Sequence, residues 1–293
     1  MALVLALAIA FSFAPVRALA GNLLALFRVQ KIEFVEVDPE RWPDEDTLEA
    51  AARQFESVMQ DQVSITVDGE PQVVDEDTVR SLSTFPVRLP SALEDESHIT
   101  LRPGVHATMQ VDLPRIRALL TELGYGDTEL PDSLDGADIS VDFHSTVIAA
   151  YGACEPGNEE WAEAQGPTDF EGDCTVLTQM PSPSVSAPSE LDIDQLGRAY
   201  LQLLGMSAEE ATRFSQRVNW TTTLVVPVPR SPSMNLSYQD VNVDGVVGTF
   251  VRPPRRGQDQ QEYLLTWVKN DVVYALLGSG TVEDALHIAG SLQ

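Results

Sequence analysis

Positive charge is scarce in this chain. Its 293 residues carry 45 Asp and Glu against 18 Lys and Arg, a formal net charge of −27. Lysine is nearly absent, with only Lys31 and Lys269. Duplex nucleic acid is held by a basic face that displaces phosphate counterions, so no nucleic-acid partner is expected. Adhesion to anionic lipid through a polybasic patch is excluded on the same ground. Cysteine is as rare, with two residues, Cys154 and Cys174, separated by a Gly/Glu/Asp-rich stretch that reads as a surface loop. Paired, they close a loop worth about 3 kcal/mol in the chain-entropy account. The alternative is two separate thiols. Zinc is disfavoured, because the CxxC spacing is missing and no histidine lies between them.

Other chemical signatures are missing too. The four histidines, His98, His106, His144 and His287, form neither HExxH nor HxH. There is no P-loop, no GxGxxG and no carboxylate pair in an acid/base context. Asp240 to Gly245 matches the first half of a calcium-binding loop, but the twelfth position, where a bidentate Glu belongs, is Val251. Val241 and Val243 alternate through it, so a β-hairpin is expected there. Asp44-Glu45-Asp46, Asp75-Glu76-Asp77 and Glu94-Asp95-Glu96 read as solvated acidic surface. No catalytic, cofactor-binding or metal-binding residue is assigned, no cofactor is expected, and the chain is not expected to be an enzyme.

What is present is a globular composition, 43% hydrophobic and 22% charged. The chain is long enough to bury a sizeable core. It opens with an uncharged apolar run, Ala2 to Val16, followed by the small-x-small residues Ala18 and Ala20, a pattern of the kind that signal peptidase recognises before Gly21. About 15 helical residues span roughly 22 Å, short of the roughly 30 Å of a bilayer core. That favours a signal peptide, although no basic residue precedes the run. Apolar residues resume after Arg17 as far as Phe27, which fits a tilted anchor with Arg17 snorkelling. A lost upstream segment, or a buried helix in a soluble protein, are the other readings. All but the last place residues 30 onward outside the cytoplasm.

The rest divides by pattern. Residues 33 to 96 hold 18 acids and 4 arginines, and 30–75 is expected as an acidic stalk with a helix at Leu48 to Met59. Residues 76–293 are expected as one α+β domain, elaborated at about 103–220. Within it, Asp112 and Asp192 cap Leu-rich helices ended by Gly124 and Gly205. Ser207 with Glu210, and Thr281 with Asp284, make capping boxes. Asp138 to Tyr151 and Trp220 to Val228 read as strands. Hairpins are expected about Asp244-Gly245 and Asn270-Asp271. The expected fold class is α+β: an antiparallel meander with packed amphipathic helices, preceded by an apolar N-terminal helix.

Two stretches together carry a resemblance. One is Asp77 to Pro90, with Phe85, Pro86, Leu89 and Pro90. The other runs from Val241 through Gly245, Trp267 and Tyr274 to Leu292. They resemble a bacterial extracytoplasmic domain of unknown function, found beyond a single transmembrane helix in zinc-finger anti-sigma factors and related membrane-anchored regulators. Pro15 to Gln30 resembles that family's exit from the membrane. The resemblance covers about half of the chain. It implies a non-catalytic sensory or regulatory role, membrane-anchored through the N-terminal apolar segment or secreted, with an envelope protein or ligand as partner. No Cys/His zinc cluster lies upstream in this sequence. The rival expectation is an exported soluble protein that binds a lipid or envelope ligand in an apolar pocket.

Overall fold

The computed structural model describes residues 25–43, 47, 62–94, 97–154, 174–229, 236–252 and 262–293. Helix and strand are mixed and the sheets are mostly antiparallel. The helices are α1 (Glu76–Leu82), α2 (Leu113–Glu122), α3 (Ile193–Leu203), α4 (Ala208–Ser215) and α5 (Val282–Gly290). The first eight strands are β1 (Ala25–Phe27), β2 (Lys31–Val37), β3 (Val63–Val67), β4 (Gln72–Val74), β5 (Ser97–Arg102), β6 (Val105–Gln110), β7 (Asp138–Phe143) and β8 (Thr146–Gly152). The others are β9 (Cys174–Pro181), β10 (Ser184–Ser186), β11 (Thr223–Pro229), β12 (Ser237–Val243), β13 (Val246–Arg252), β14 (Glu262–Lys269) and β15 (Val272–Ser279). The expected N-terminal apolar helix, Ala18 and Ala20, the helix expected at Leu48 to Met59 and the loop 155–173 lie outside the described residues. Among those described, no helix is long and apolar enough to cross a membrane.

The chain forms two compact units. One is built from Met1–Asp68, Gly104–Phe143 and Ser182–Pro232, the other from Gly69–Pro103, His144–Pro181 and Ser233–Gln293.

The first unit holds a five-stranded sheet in the order β1-β10-β7-β6-β3. Its strands alternate, and the register stacks like on like. Val63, Ile65 and Val67 face Met109, Ala107 and Val105, which in turn face Ile139, Val141 and Phe143. Ser64 and Thr66 align with Thr108 and His106 on the opposite face. Period-2 alternation alone produces one apolar and one polar face. Met109 and Ile139 pack against Leu113 and Leu120 of α2. The second sheet pairs β2 with β11 in parallel, from Lys31↔Thr223 to Val37↔Pro229. Val35, Val37 and Val225 there share a core with Leu201 of α3 and Phe214 of α4. Within the expected acidic stalk, β2 and β3 belong to sheets, and Val35 and Val37 are buried.

The second unit is an eight-stranded antiparallel sheet, β12-β13-β14-β15-β9-β8-β5-β4. The meander β12 to β15 is held by two-residue turns with positive φ at Asp244, Gly245, Asn270 and Asp271. That backbone matches the twist of the flanking strands, and these residue types tolerate it. The stretch Asp138 to Tyr151 is two strands, broken between Phe143 and Thr146. β8 and β9 lie inside the sheet between β15 and β5. The 103–220 stretch, expected as an elaboration, is thus integral to this unit as well as to the first. One sheet face buries Ile99, Val147, Leu177, Leu265 and Leu276 beneath Val79 of α1, Phe85, Val87, Leu89 and Ala285 of α5.

Candidate functional site

The residues that carry the resemblance all lie in the second unit, around the Trp267 end of the core face. The chain from 83 to 89 forms no helix or strand, as Pro86 and Pro90 dictate. It is extended, so it alternates: Phe85, Val87 and Leu89 are buried while Pro86 is exposed. Leu89 and Gln293 exchange main-chain bonds, N–H to carbonyl in both directions at 3.1 Å. Pro90 bridges to Leu292. The C-terminal residues and this segment thereby form a short antiparallel ladder beside the core.

A row of cross-strand neighbours lies beneath it: Gly248, Trp267, Tyr274, Gln179 and Val147. Trp267 and Tyr274 stack with ring centroids 4.9 Å apart and planes 5° apart. Gly248 makes room for the indole's own strand. A Cβ at that position would come within 2.6 Å of the Thr266 carbonyl oxygen and 2.9 Å of Trp267 Cβ. Gly245 serves a different need, the positive φ of the turn, and open space surrounds it.

Arg88 ties these parts together. Its main-chain N–H donates to Gln179 Oε1 at 2.9 Å. Its guanidinium grips Asp244 with both terminal nitrogens. Nη2 also donates to the Leu292 carbonyl at 2.9 Å. Lys269 Nζ closes the cluster from the next hairpin, donating to the Asp244 carbonyl at 2.6 Å and to Oδ1 at 2.7 Å. Burial pushes the Asp244 carboxyl up, but the bonds from Arg88 and Lys269 outweigh it and hold the group below the usual aspartate range. The bond to Asp244 raises Arg88. Burial raises the Tyr274 phenol, with the neighbouring Arg88 pulling against it. Gln179 Nε2 and Trp267 Nε1 are buried without a hydrogen-bond partner among the described residues.

The charged groups of this cluster, Arg88, Asp244 and Lys269, are engaged with other parts of the fold. Its chemistry is that of a fastener for the turn, the C-terminus and the 83–92 segment. Arg88 and Gln179 were not singled out from sequence. The available signals were a lone Arg between inward-facing apolar residues and a lone amide inside the apolar run Thr175 to Met180.

Cys154 and Cys174 are joined by a disulfide, with Cα atoms 4.8 Å apart. The bond sits beside the β8–β9 pair Gly152↔Cys174 and packs with Ala150 and Val176. Both sulfurs belong to buried residues.

Three other places gather polar side chains. Thr66, His106, Asp142 and Ser184 line up across the polar face of the first unit's sheet. His106 Nδ1 stands 3.8 Å from Asp142 Oδ1, beyond hydrogen-bond distance. A depression of about 460 Å³ in the first unit is lined by Arg41, Tyr125, Gln202 and Ser207. Arg41 there bonds Glu210 at 2.7 Å, and the Ser207 capping bonds with that Arg41 contact lower the Glu210 carboxyl to about 2. A second depression of about 390 Å³, in the second unit, is lined by Tyr238, Phe250, Arg252 and Glu283. The half-match to a calcium loop at Asp240 to Gly245 is a hairpin, β12 to β13, paired from Ser237↔Arg252 to Val243↔Val246. Among the described residues, no three His, Cys, Asp or Glu side chains gather as a metal site. Compared with known proteins, the chain matches no family model, no curated protein and no solved structure.

Proposed function

We propose that the chain is a non-catalytic extracytoplasmic domain, sensory or regulatory in role, of a membrane-anchored regulator of the anti-sigma-like type. The Cys154–Cys174 disulfide carries the reading. Structural disulfides persist in oxidising compartments and are rare in the cytosol. The apolar run from Ala2 supplies the route outward, either as a signal cut after Ala20 or as a retained anchor. Phe85, Leu89, Pro90, Trp267 and Tyr274 support the regulatory half of the proposal, since the residues that resemble the regulator domain pack together in one unit. The excess of acid keeps such a domain soluble and away from anionic headgroups.

An export reporter tests the proposal. Alkaline phosphatase folds only where disulfides form, so a fusion after residue 30 is active if that point lies outside the cytoplasm. Activity in intact native-host cells is the expected result. An inactive, stable fusion overturns the proposal.

A further inference from the structure

Among the described residues, nothing guards the β3 edge of its sheet. Among the described residues it pairs with β6 alone, over five positions with no register shift. Ile65 is 56% and Val67 51% exposed. Natural edge strands are guarded by Lys, Pro, inward charge or a bulge, and Val63-Ser64-Ile65-Thr66-Val67 has none of these. The sheet's other end, β1, shows a register irregularity against β10. β12, an edge of the other sheet, carries Asp240 at its centre.

We propose that β3 is a self-association edge, and that its occupant is β3 of a second copy of this chain, running antiparallel about a two-fold axis through Ile65. Three observations select that partner. First, the strand is nearly palindromic. The axis sets Val63 against Val67, Ser64 against Thr66 and Ile65 against itself, which are favourable β-branched and hydroxyl pairs. Second, the backbone phase is right. Asp68 donates its N–H to the Gly104 carbonyl at 3.0 Å, and antiparallel bonding alternates, so residues 64, 66 and 68 turn inward to β6. Val63, Ile65 and Val67 then turn their N–H and C=O outward, in the set that Ile65-centred pairing engages. Third, the charge permits it. In a chain of net charge −27 this strand is neutral, and Asp68 of one copy stands opposite Gln62 of the other. The product is an isologous dimer with one continuous sheet. Two short strands bury less than the roughly 1,200–2,000 Å² of a stable interface, so the dimer is concentration-dependent. The proposal rests on strand geometry and is independent of the proposed function.

Cysteine cross-linking of the full-length protein tests it. Ile65→Cys sets two Cα atoms about 5.5 Å apart, within disulfide reach. Thr66→Cys faces Ser64 of the copy and lies out of reach of itself. Mild oxidation is expected to give covalent dimer from Ile65→Cys and roughly tenfold less from Thr66→Cys, and Ile65→Lys is expected to lower the sedimenting dimer fraction by a similar factor, because it opposes two like charges. Equal cross-linking of the two cysteine variants, a dimer indifferent to Ile65→Lys, a monomer at every concentration, or an Ile65→Cys adduct to a different protein each overturns the proposal.

Discussion

Arg88 and Asp244 lie 156 residues apart in the chain and meet in a two-pronged ion pair. Asp244 stands at the tip of a hairpin and Arg88 in an irregular segment, and Arg88 continues to the Leu292 carbonyl. One guanidinium thus fastens three parts of the second unit: the β12–β13 turn, its own irregular segment and the C-terminal residues. Lys269 holds the same carboxylate from the neighbouring hairpin.

Asp244→Ala is expected to cost about 2–4 kcal/mol, because it leaves two partly buried cations without their counterion. Denaturant unfolding followed by tryptophan fluorescence reads this. Asp244→Ala combined with Arg88→Met is expected to be less damaging than the sum of the single changes, since the pair is coupled.

Acid should release the same fastener. The native Asp244 carboxyl lies below its unfolded value, so its contribution is complete above about pH 4 and fades as the pH falls through the lower native value. Glu210, lowered to about 2, acts in the same sense in the first unit, weakened there by solvent. Stability measured against pH is expected to fall below about pH 4, and Asp244→Asn to flatten part of that slope. An unchanged slope in Asp244→Asn contradicts the assignment.

Two helical glycines should respond to alanine with opposite sign. In α3, a Cβ on Gly197 would come within 2.1 Å of the Trp220 indole, itself held by a 2.9 Å bond to Ser215. Overpacking of about 1–3 kcal/mol there exceeds the roughly 1 kcal/mol of helix propensity gained. Gly290 ends α5 with open space around it, and Gly290→Ala is expected to gain about 0.5 kcal/mol. Thermal unfolding of both variants decides the point.

Local signals carried the local structure. Both capping boxes form, Ser207 with Glu210 and Thr281 with Asp284. The Asp112 and Asp192 caps and the two tight hairpins form as well. Each depends on residues a few positions apart, where spacing is physics. The parallel pairing of β2 with β11 joins residues nearly two hundred positions apart, and alternation cannot choose a distant partner. The acidic composition of 30–75 also hid β2, whose inward positions Val35 and Val37 are apolar. At the candidate site, Phe85, Leu89, Trp267 and Tyr274 were visible as a pattern. Arg88 and Gln179 were not, because their meaning lies in a 2.9 Å bond between residues 91 positions apart.

Removing the disulfide should weaken the second unit. Cys154→Ser with Cys174→Ser is expected to cost about 3 kcal/mol, read by denaturant unfolding against the oxidised parent. No loss would mean that the bond does not constrain the unfolded chain.

The proposed function stands or falls with the compartment, and the thiol state in living cells reports the compartment. Intact native-host cells are quenched in acid, and free thiols are alkylated before and after reduction. Mass spectrometry then reads the peptides that contain Cys154 and Cys174. Both cysteines are expected to resist alkylation until the protein is reduced. Alkylation of both without reduction would contradict it.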